Sequence, residues 1–185
     1  EYSESIFSLA NEYMGTRGLF EEGFTGSTLE GCYIGGIFSK EKINHLWKRR
    51  AFPTYANTMI HTTNWLRTII EVGDERFDMG QSAYSDYVRE LDMKQGILTR
   101  SLVFKSGHGD LTSLEWERFI SHHDRHIGAM RIRVRAINHE KPIKIHFLLD
   151  GRKENTYYCN SATHTSSIYQ RADSEEIVLM KNVVP

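Results

Sequence analysis

Residues 129–137 alternate without a break. Met130, Ile132, Val134 and Ala136 fall on one side, and Arg131, Arg133 and Arg135 fall on the other. A period of two belongs to a β-strand with one dry and one wet face; a helix would repeat its apolar positions every three or four residues. A second alternating run follows, with Ile143, Ile145, Phe147 and Leu149 on one side and Lys144 and His146 between them. The intervening Asn138-His139-Glu140-Lys141-Pro142 is polar and ends on proline, a turn composition. The spacing predicts that the two runs pair as an antiparallel hairpin with one wet face.

The same grammar recurs elsewhere. Residues 97–105 and 111–120 read as two strands joined by Ser106-Gly107-His108-Gly109-Asp110. Residues 157–159, 166–170 and 175–181 read as shorter strands. Turn signals about every ten residues predict an all-β sandwich. The first half is less regular. Residues 4–13 fit a short helix or a strand equally well. Tyr33, Ile34, Ile37 and Phe38 lie among closely spaced glycines and suggest a strand with a bulge or a close backbone approach. Residues 43–59 read as a surface connection. Residues 65–72 and 75–77, around Gly73-Asp74, predict a tight hairpin. Nothing marks a linker, an internal repeat or a low-complexity tract.

Composition narrows the function classes. The net charge of -1 lacks the basic excess expected of a nucleic-acid or anionic-membrane binder. No apolar stretch approaches the ~20 residues that span a bilayer. Cys32 and Cys159 are the only cysteines and form no CxxC pair, which favours two buried thiols in a reducing cytoplasm over a disulfide framework or a cysteine zinc site. The chain opens at Glu1 and stops at Pro185. The absence of an initiator methionine and the abrupt ends lead to the expectation that it is a piece of a longer protein.

Several clusters have residue types that could carry chemistry. His122, His123 and His126, with Asp124 among them, have metal-like spacing on a helix or on one strand face, but a polar turn with a local Asp124–Arg125 pair is the favoured reading. Arg131, Arg133 and Arg135 offer an anion stripe; the expectation is instead a solvated face paired with Glu115 or Glu117 on a neighbouring strand. The carboxylate pairs Glu21-Glu22, Glu75 and Asp78, Glu115 and Glu117, and Asp173 with Glu175-Glu176 have the residue types of a glycosidase, yet neighbouring carboxylates are expected to be surface charge. Lys48-Arg49-Arg50 reads as an exposed basic turn. The glycines from Gly15 to Gly36 lack a phosphate-loop pattern. Trp47, Trp65 and Trp116 suit a core or a sugar platform, with core favoured. Read this way, the residues assign no catalytic or metal site.

Longer stretches carry a resemblance. Residues 4–18 (ESIFSLANEYMGTRG), Phe20-Glu21-Glu22-Gly23 and Gly31-Cys32-Tyr33-Ile34-Gly35-Gly36-Ile37-Phe38 resemble the opening of the N-terminal domain of glycoside hydrolase family 65. Asn64-Trp65-Leu66 follows in the same order. So do residues 91–100 (LDMKQGILTR), Glu117-Arg118-Phe119-Ile120-Ser121, Asp124-Arg125-His126, and Leu149-Asp150-Gly151-Arg152 with Asn155. One departure stands out: the family usually has Asn-Gly-Tyr where this chain has Asn11-Glu12-Tyr13.

The resemblance implies a mainly β chain forming a large antiparallel β-sandwich of the super-sandwich type, truncated, with a few short helices or loops in its N-terminal half. It implies that residues 1–185 are an N-terminal domain and that a catalytic (α/α)6 barrel follows. It implies a parent enzyme that is an inverting disaccharide phosphorylase, with inorganic phosphate as co-substrate and no other cofactor. The general acid and the phosphate site are then expected downstream, so no catalytic residue is carried over to this chain. The expected partners are the chain's own barrel, a disaccharide and a second copy in a homodimer, in the cytoplasm. A trehalase-like hydrolase domain and a free-standing carbohydrate-binding module are the competing expectations.

Overall fold

A computed structural model of the chain describes residues 2–28, 30–42, 54–149, 154–156 and 167–169. The helix-or-strand ambiguity at the start is resolved by both. A short helix α1 (Tyr2–Ile6) leads into β1 (Leu9–Ala10), which pairs with β2 (Met14–Thr16), and β2 pairs with β3 (Cys32–Ile34). Asn11 closes the first turn. Its side-chain oxygen accepts from the amides of Tyr13 and Met14, and its side-chain nitrogen donates to the carbonyls of Ser121 (2.6 Å) and Arg125 (3.0 Å). Glu12 fits this turn without glycine because Asp86 is the only non-glycine residue with a positive φ among the described residues.

β4 (Phe38–Lys42) pairs with β5 (Tyr55–Met59) as a separate two-stranded ribbon. Residues 55–59 are therefore a strand, not the surface connection expected for them. The predicted tight hairpin forms from β6 (Thr68–Val72) and β7 (Glu75–Arg76), with Gly73 at φ 62° in the turn.

The largest sheet has the order β11-β10-β9-β8, from β8 (Ala83–Asp92), β9 (Ile97–Lys105), β10 (Leu111–Ile120) and β11 (Gly128–Ala136), all antiparallel. β9 and β10 form the hairpin expected of them. Burial alternates along both, with Leu98, Arg100, Leu102 and Phe104 inside on β9, and Thr112, Leu114, Trp116, Arg118 and Ile120 inside on β10.

The pairing of residues 129–137 with 143–149 is overturned. β11 lies beside β10, whereas β12 (Ile143–Phe147) crosses to pair with β6, so the second sheet reads β12-β6-β7. Residues 138–142 carry the chain from one layer of the sandwich to the other. The Gly73 amide donates to the carbonyl of Pro142 at the crossing. β11 keeps its alternation in burial, whereas on β12 only Ile143 packs at the core margin and Ile145, Phe147 and Leu149 stay exposed. That core unites Ile70, Val72, Phe77 and Met79 with Leu102, Phe104, Leu114 and Trp116, and Met130, Ile132, Val134 and Ile143 pack at its margin. Leu9 packs with Leu98 and Ile120 at one end of the large sheet, and Leu19 with Cys32 and Leu66 beside it. The protein is thus a mainly β, antiparallel sandwich.

β13 (Glu154–Thr156) pairs with β14 (Ser167–Tyr169), within the strand expected at 166–170. The strands expected at 157–159 and 175–181 lie outside the described residues, as do Trp47, Lys48-Arg49-Arg50, Cys159 and Asp173 with Glu175-Glu176. Cys32 is buried, its sulfur 3.6 Å from Asn64 Oδ1.

Candidate functional site

Among the described residues, a cluster of four charged side chains lies inside the molecule. Arg100 and Arg118 occupy the dry face of β9 and β10, at positions where the alternation calls for apolar side chains. Opposite them, the loop after β2 delivers Glu21 and Glu22. All four residues are at most 3% exposed. Arg100 grips Glu22 through both terminal nitrogens, one of them at 2.7 Å, and the second also lies 2.8 Å from Glu21. Arg118 reaches Glu21 at 3.1 Å and donates to the carbonyl of Arg17. The Arg100 guanidinium sits 3.8 Å from the centroid of the Trp116 ring and 5.0 Å from that of Phe20. Arg89, from the edge strand, covers Phe7 and Phe20 and donates to the carbonyl of Gly18.

The loop is held close by its smallest residue. A Cβ on Gly18 would lie 2.7 Å from Phe7 Cβ and 3.0 Å from the Phe7 carbonyl oxygen, so only glycine lets the chain pass under α1. The adjacent acids Glu21 and Glu22 are therefore not surface charge, as expected of them, but the anionic half of a buried clamp.

Chemically the clamp is a poor acid–base pair. Burial pushes the Glu21 carboxyl up, but Arg100 and Arg118 together outweigh it and hold the group below its ordinary 4.5. Burial likewise pushes Glu22 up, and there the pull of Arg100 offsets only part of it. Arg100 itself is driven above its ordinary value; burial opposes this, and the two glutamates overcome it. Both carboxylates are sealed from solvent; Glu22 is hydrogen-bonded by Arg100, and Glu21 is held by ion pairs to Arg100 and Arg118.

The sign of the pH dependence follows. Glu21 titrates lower in the folded protein than in the unfolded chain, so its contribution is complete above about pH 4.5 and is lost as pH falls through the folded value. Asp110, hydrogen-bonded by Lys141 and Ser106, and Asp78 act in the same direction; at Asp78 burial is outweighed by bonds from Thr25 and the Gly80 amide. Glu22 runs the other way and softens the loss. Urea midpoints should therefore fall between pH 5 and pH 3, and Glu21→Gln should flatten that fall while lowering the midpoint at neutral pH.

The other candidate clusters resolve as follows. His122, His123 and His126 occupy the β10–β11 turn. Ser121 Oγ accepts from the Asp124 amide, and Asp124 Oδ1 accepts from the His126 amide. Asp124 pairs with His126 at 3.5 Å rather than with Arg125, which reaches across to Glu12. Tyr13 packs edge-on against His126, with ring centroids 4.4 Å apart. Among the described residues no group of three or more His, Cys, Asp or Glu is arranged to hold a metal ion.

The charged stripe on the wet face pairs as expected: Arg131 with Glu117, and Arg133 with Glu115 at 2.8 Å. Such exposed pairs contribute about 0–1 kcal/mol each. Glu75 and Asp78 border a shallow groove of about 430 Å³, but each is spent on backbone amides, Glu75 on Gly107 and Asp78 on Thr25 and Gly80. Trp116 is core, and Trp65 packs at the margin of the Leu19–Cys32–Leu66 cluster.

With this geometry in place, comparison with known proteins decides the affiliation. The family described as "Glycosyl hydrolase family 65, N-terminal domain" matches residues 1–182. The chain belongs to that family.

Among relatives of this family 65 domain, a kojibiose phosphorylase of Caldanaerobacter subterraneus subsp. tengcongensis is 34% identical over 161 residues, which are 87% of this chain and 19% of that protein. A maltose phosphorylase of Bacillus subtilis is 33% identical over 152 residues, covering 82% of this chain and 20% of that protein. The solved structure of a protein from the human microbiome, provisionally assigned as a kojibiose phosphorylase, superposes with a TM-score of 0.75 at 25% identity, over 84% of this chain and 22% of that one. The chain therefore spans about a fifth of the length of the curated relatives it matches.

The sequence pattern places β9, β10 and β11 but does not reveal the clamp. The missed signal was present: Arg100 and Arg118 fall in the apolar phase of two alternating strands, where an unpaired charge is not tolerated.

Proposed function

We propose that this chain is the non-catalytic N-terminal β domain of an inverting disaccharide phosphorylase acting on an α-glucoside. The observation that carries the reading is the match along nearly the whole chain to a family 65 N-terminal domain, at about a fifth of the length of relatives named kojibiose and maltose phosphorylase. The clamp supports it, because the adjacent carboxylates of Glu21 and Glu22 are buried and held by arginines.

In this reading the catalytic acid and the phosphate site belong to another part of the polypeptide. Phosphate attacks the anomeric carbon while the acid protonates the departing sugar oxygen, giving β-glucose 1-phosphate and a free sugar. Phosphate takes the place that activated water holds in an inverting hydrolase. The domain's own role is to support that catalytic part. A cytoplasmic location belongs to the same proposal; no helix among the described residues is long and apolar enough to cross a membrane.

The test is to incubate the full-length protein with kojibiose, maltose, nigerose or trehalose, with and without inorganic phosphate, and to follow the anomeric signals by NMR. Phosphate-dependent appearance of β-glucose 1-phosphate is the expected result. Glucose released equally well without phosphate would replace phosphorolysis with hydrolysis.

A further inference from the structure

The β4–β5 ribbon is the least explained element of the fold. Its base is well anchored: Cys32 and Ile60 are buried on either side, the Thr62 amide donates to the Cys32 carbonyl, and the Tyr33 hydroxyl lies 3.3 Å from His61 Nε2. Beyond that base, five residue pairs from Phe38↔Met59 to Lys42↔Tyr55 form a sheet of two strands only. A two-stranded ribbon is at best marginally stable in water unless one face is covered. Phe38, Lys40, Asn57, Tyr55 and Met59 share one face by the register of those pairs. Phe38 is 51% exposed, Tyr55 50% and Met59 46%, and Lys40 Nζ lies 4.5 Å from the Tyr55 ring centroid.

We propose that this face is a docking surface for the remainder of the same polypeptide, beyond residue 185. The occupant presents an apolar patch edged by a carboxylate that meets Lys40. The inference rests on the reading above, that the chain is one domain of a longer enzyme.

Area decides between that occupant and a second copy. Three large side chains, each about half exposed, leave roughly 300 Å² to bury. A stable contact between separate molecules buries about 800 Å² on each partner. A covalently attached occupant works at an effective concentration in the mM range and is held by far less area. The matched relatives are about five times as long as the aligned stretch, so such an occupant is available in their architecture.

The experiment places a photo-crosslinker in the full-length protein by Tyr55→p-benzoylphenylalanine. The position is half exposed, so the fold tolerates the change. The protein is prepared as a mixture of light and isotope-labelled chains, irradiated, and mapped by mass spectrometry. Crosslinks joining position 55 to residues beyond 185 of the same isotopic chain are expected, at a yield at least about fivefold above that from a crosslinker at Met93, which is 87% exposed in the β8–β9 turn. Mixed-isotope crosslinks, crosslinks confined to residues 1–185, or none would each overturn the proposal. Phosphorolysis without the expected crosslinks would defeat this inference alone. The crosslinks without phosphorolysis would defeat the functional reading alone.

Discussion

Replacing Arg100 with alanine lowers the stability of the domain by about 3–5 kcal/mol, the cost of leaving buried charge uncompensated. Glu21 and Glu22 both depend on this guanidinium, and neither has access to water. Arg118 contacts Glu21 at 3.1 Å but is not paired with Glu22. The loss is comparable with the whole stability of an ordinary domain, about 5–15 kcal/mol, so the variant unfolds at a much lower urea concentration or accumulates as aggregate. Arg131→Ala, on the wet face, removes an exposed pair and shifts the urea midpoint by less than about 0.5 kcal/mol equivalent. Replacing Arg100 and Glu22 together by methionine recovers much of the loss, because the cost lies in the unpaired charge rather than in the missing bond. Equal midpoints for Arg100→Ala and Arg131→Ala would refute the clamp.

Trp116→Ala carries a similar penalty for a different reason. The side chain is 1% exposed, sits at the centre of the main core and lies 6.2 Å, centroid to centroid, from the Phe77 ring. Deleting it leaves a cavity in the sandwich and costs about 3–5 kcal/mol. It also removes the aromatic face beneath Arg100, so the two substitutions are not additive. A double-mutant cycle over Trp116 and Arg100 is expected to give a coupling of about 2 kcal/mol, the range of a desolvated cation–π contact. Thermal or urea unfolding of the four proteins in the cycle measures it, and additive losses would place the contact among incidental neighbours.

Which parts of the fold were legible depends on which faces are wet. β9 and β10 were readable because each has one dry side and one wet side, which writes a period of two into the chain. The alternation of residues 129–137 and 143–149 fixed two strands but not their partners. In a sandwich a strand can turn back beside its neighbour or cross to the other layer without changing which side is apolar. β8 escaped notice altogether. It is an edge strand, exposed along most of its length, interrupted by a bulge between Ser85 and Val88 and by Asp86 at φ 52°. Only Arg89 and Leu91, past the bulge, turn a partly buried face inward, too short a stretch to write a clear alternation.

The clamp was half legible. The strand phase marks Arg100 and Arg118 as inward, but nothing local marks Glu21 and Glu22 as their counterions, because the loop reaches the sheet through a close approach at Gly18. Adjacent glutamates in a glycine-rich loop look like surface charge until the tertiary fold is known. The histidine turn is the converse case. Its spacing suggests a ligand set, whereas Ser121 and Asp124 cap the turn and the His126 ring packs against Tyr13.

We propose that the buried acids of this domain are structural and that catalysis is carried elsewhere in the polypeptide. Glu21→Gln and Glu22→Gln in the full-length protein test it most directly, with phosphorolysis and unfolding measured on the same preparations. The account predicts a kcat per folded molecule within about twofold of the parent and a clear drop in the unfolding midpoint, consistent with a weakened buried pair. A loss of about 10³-fold or more in kcat with the midpoint unchanged would contradict it, because it would make one of these carboxylates a catalytic group.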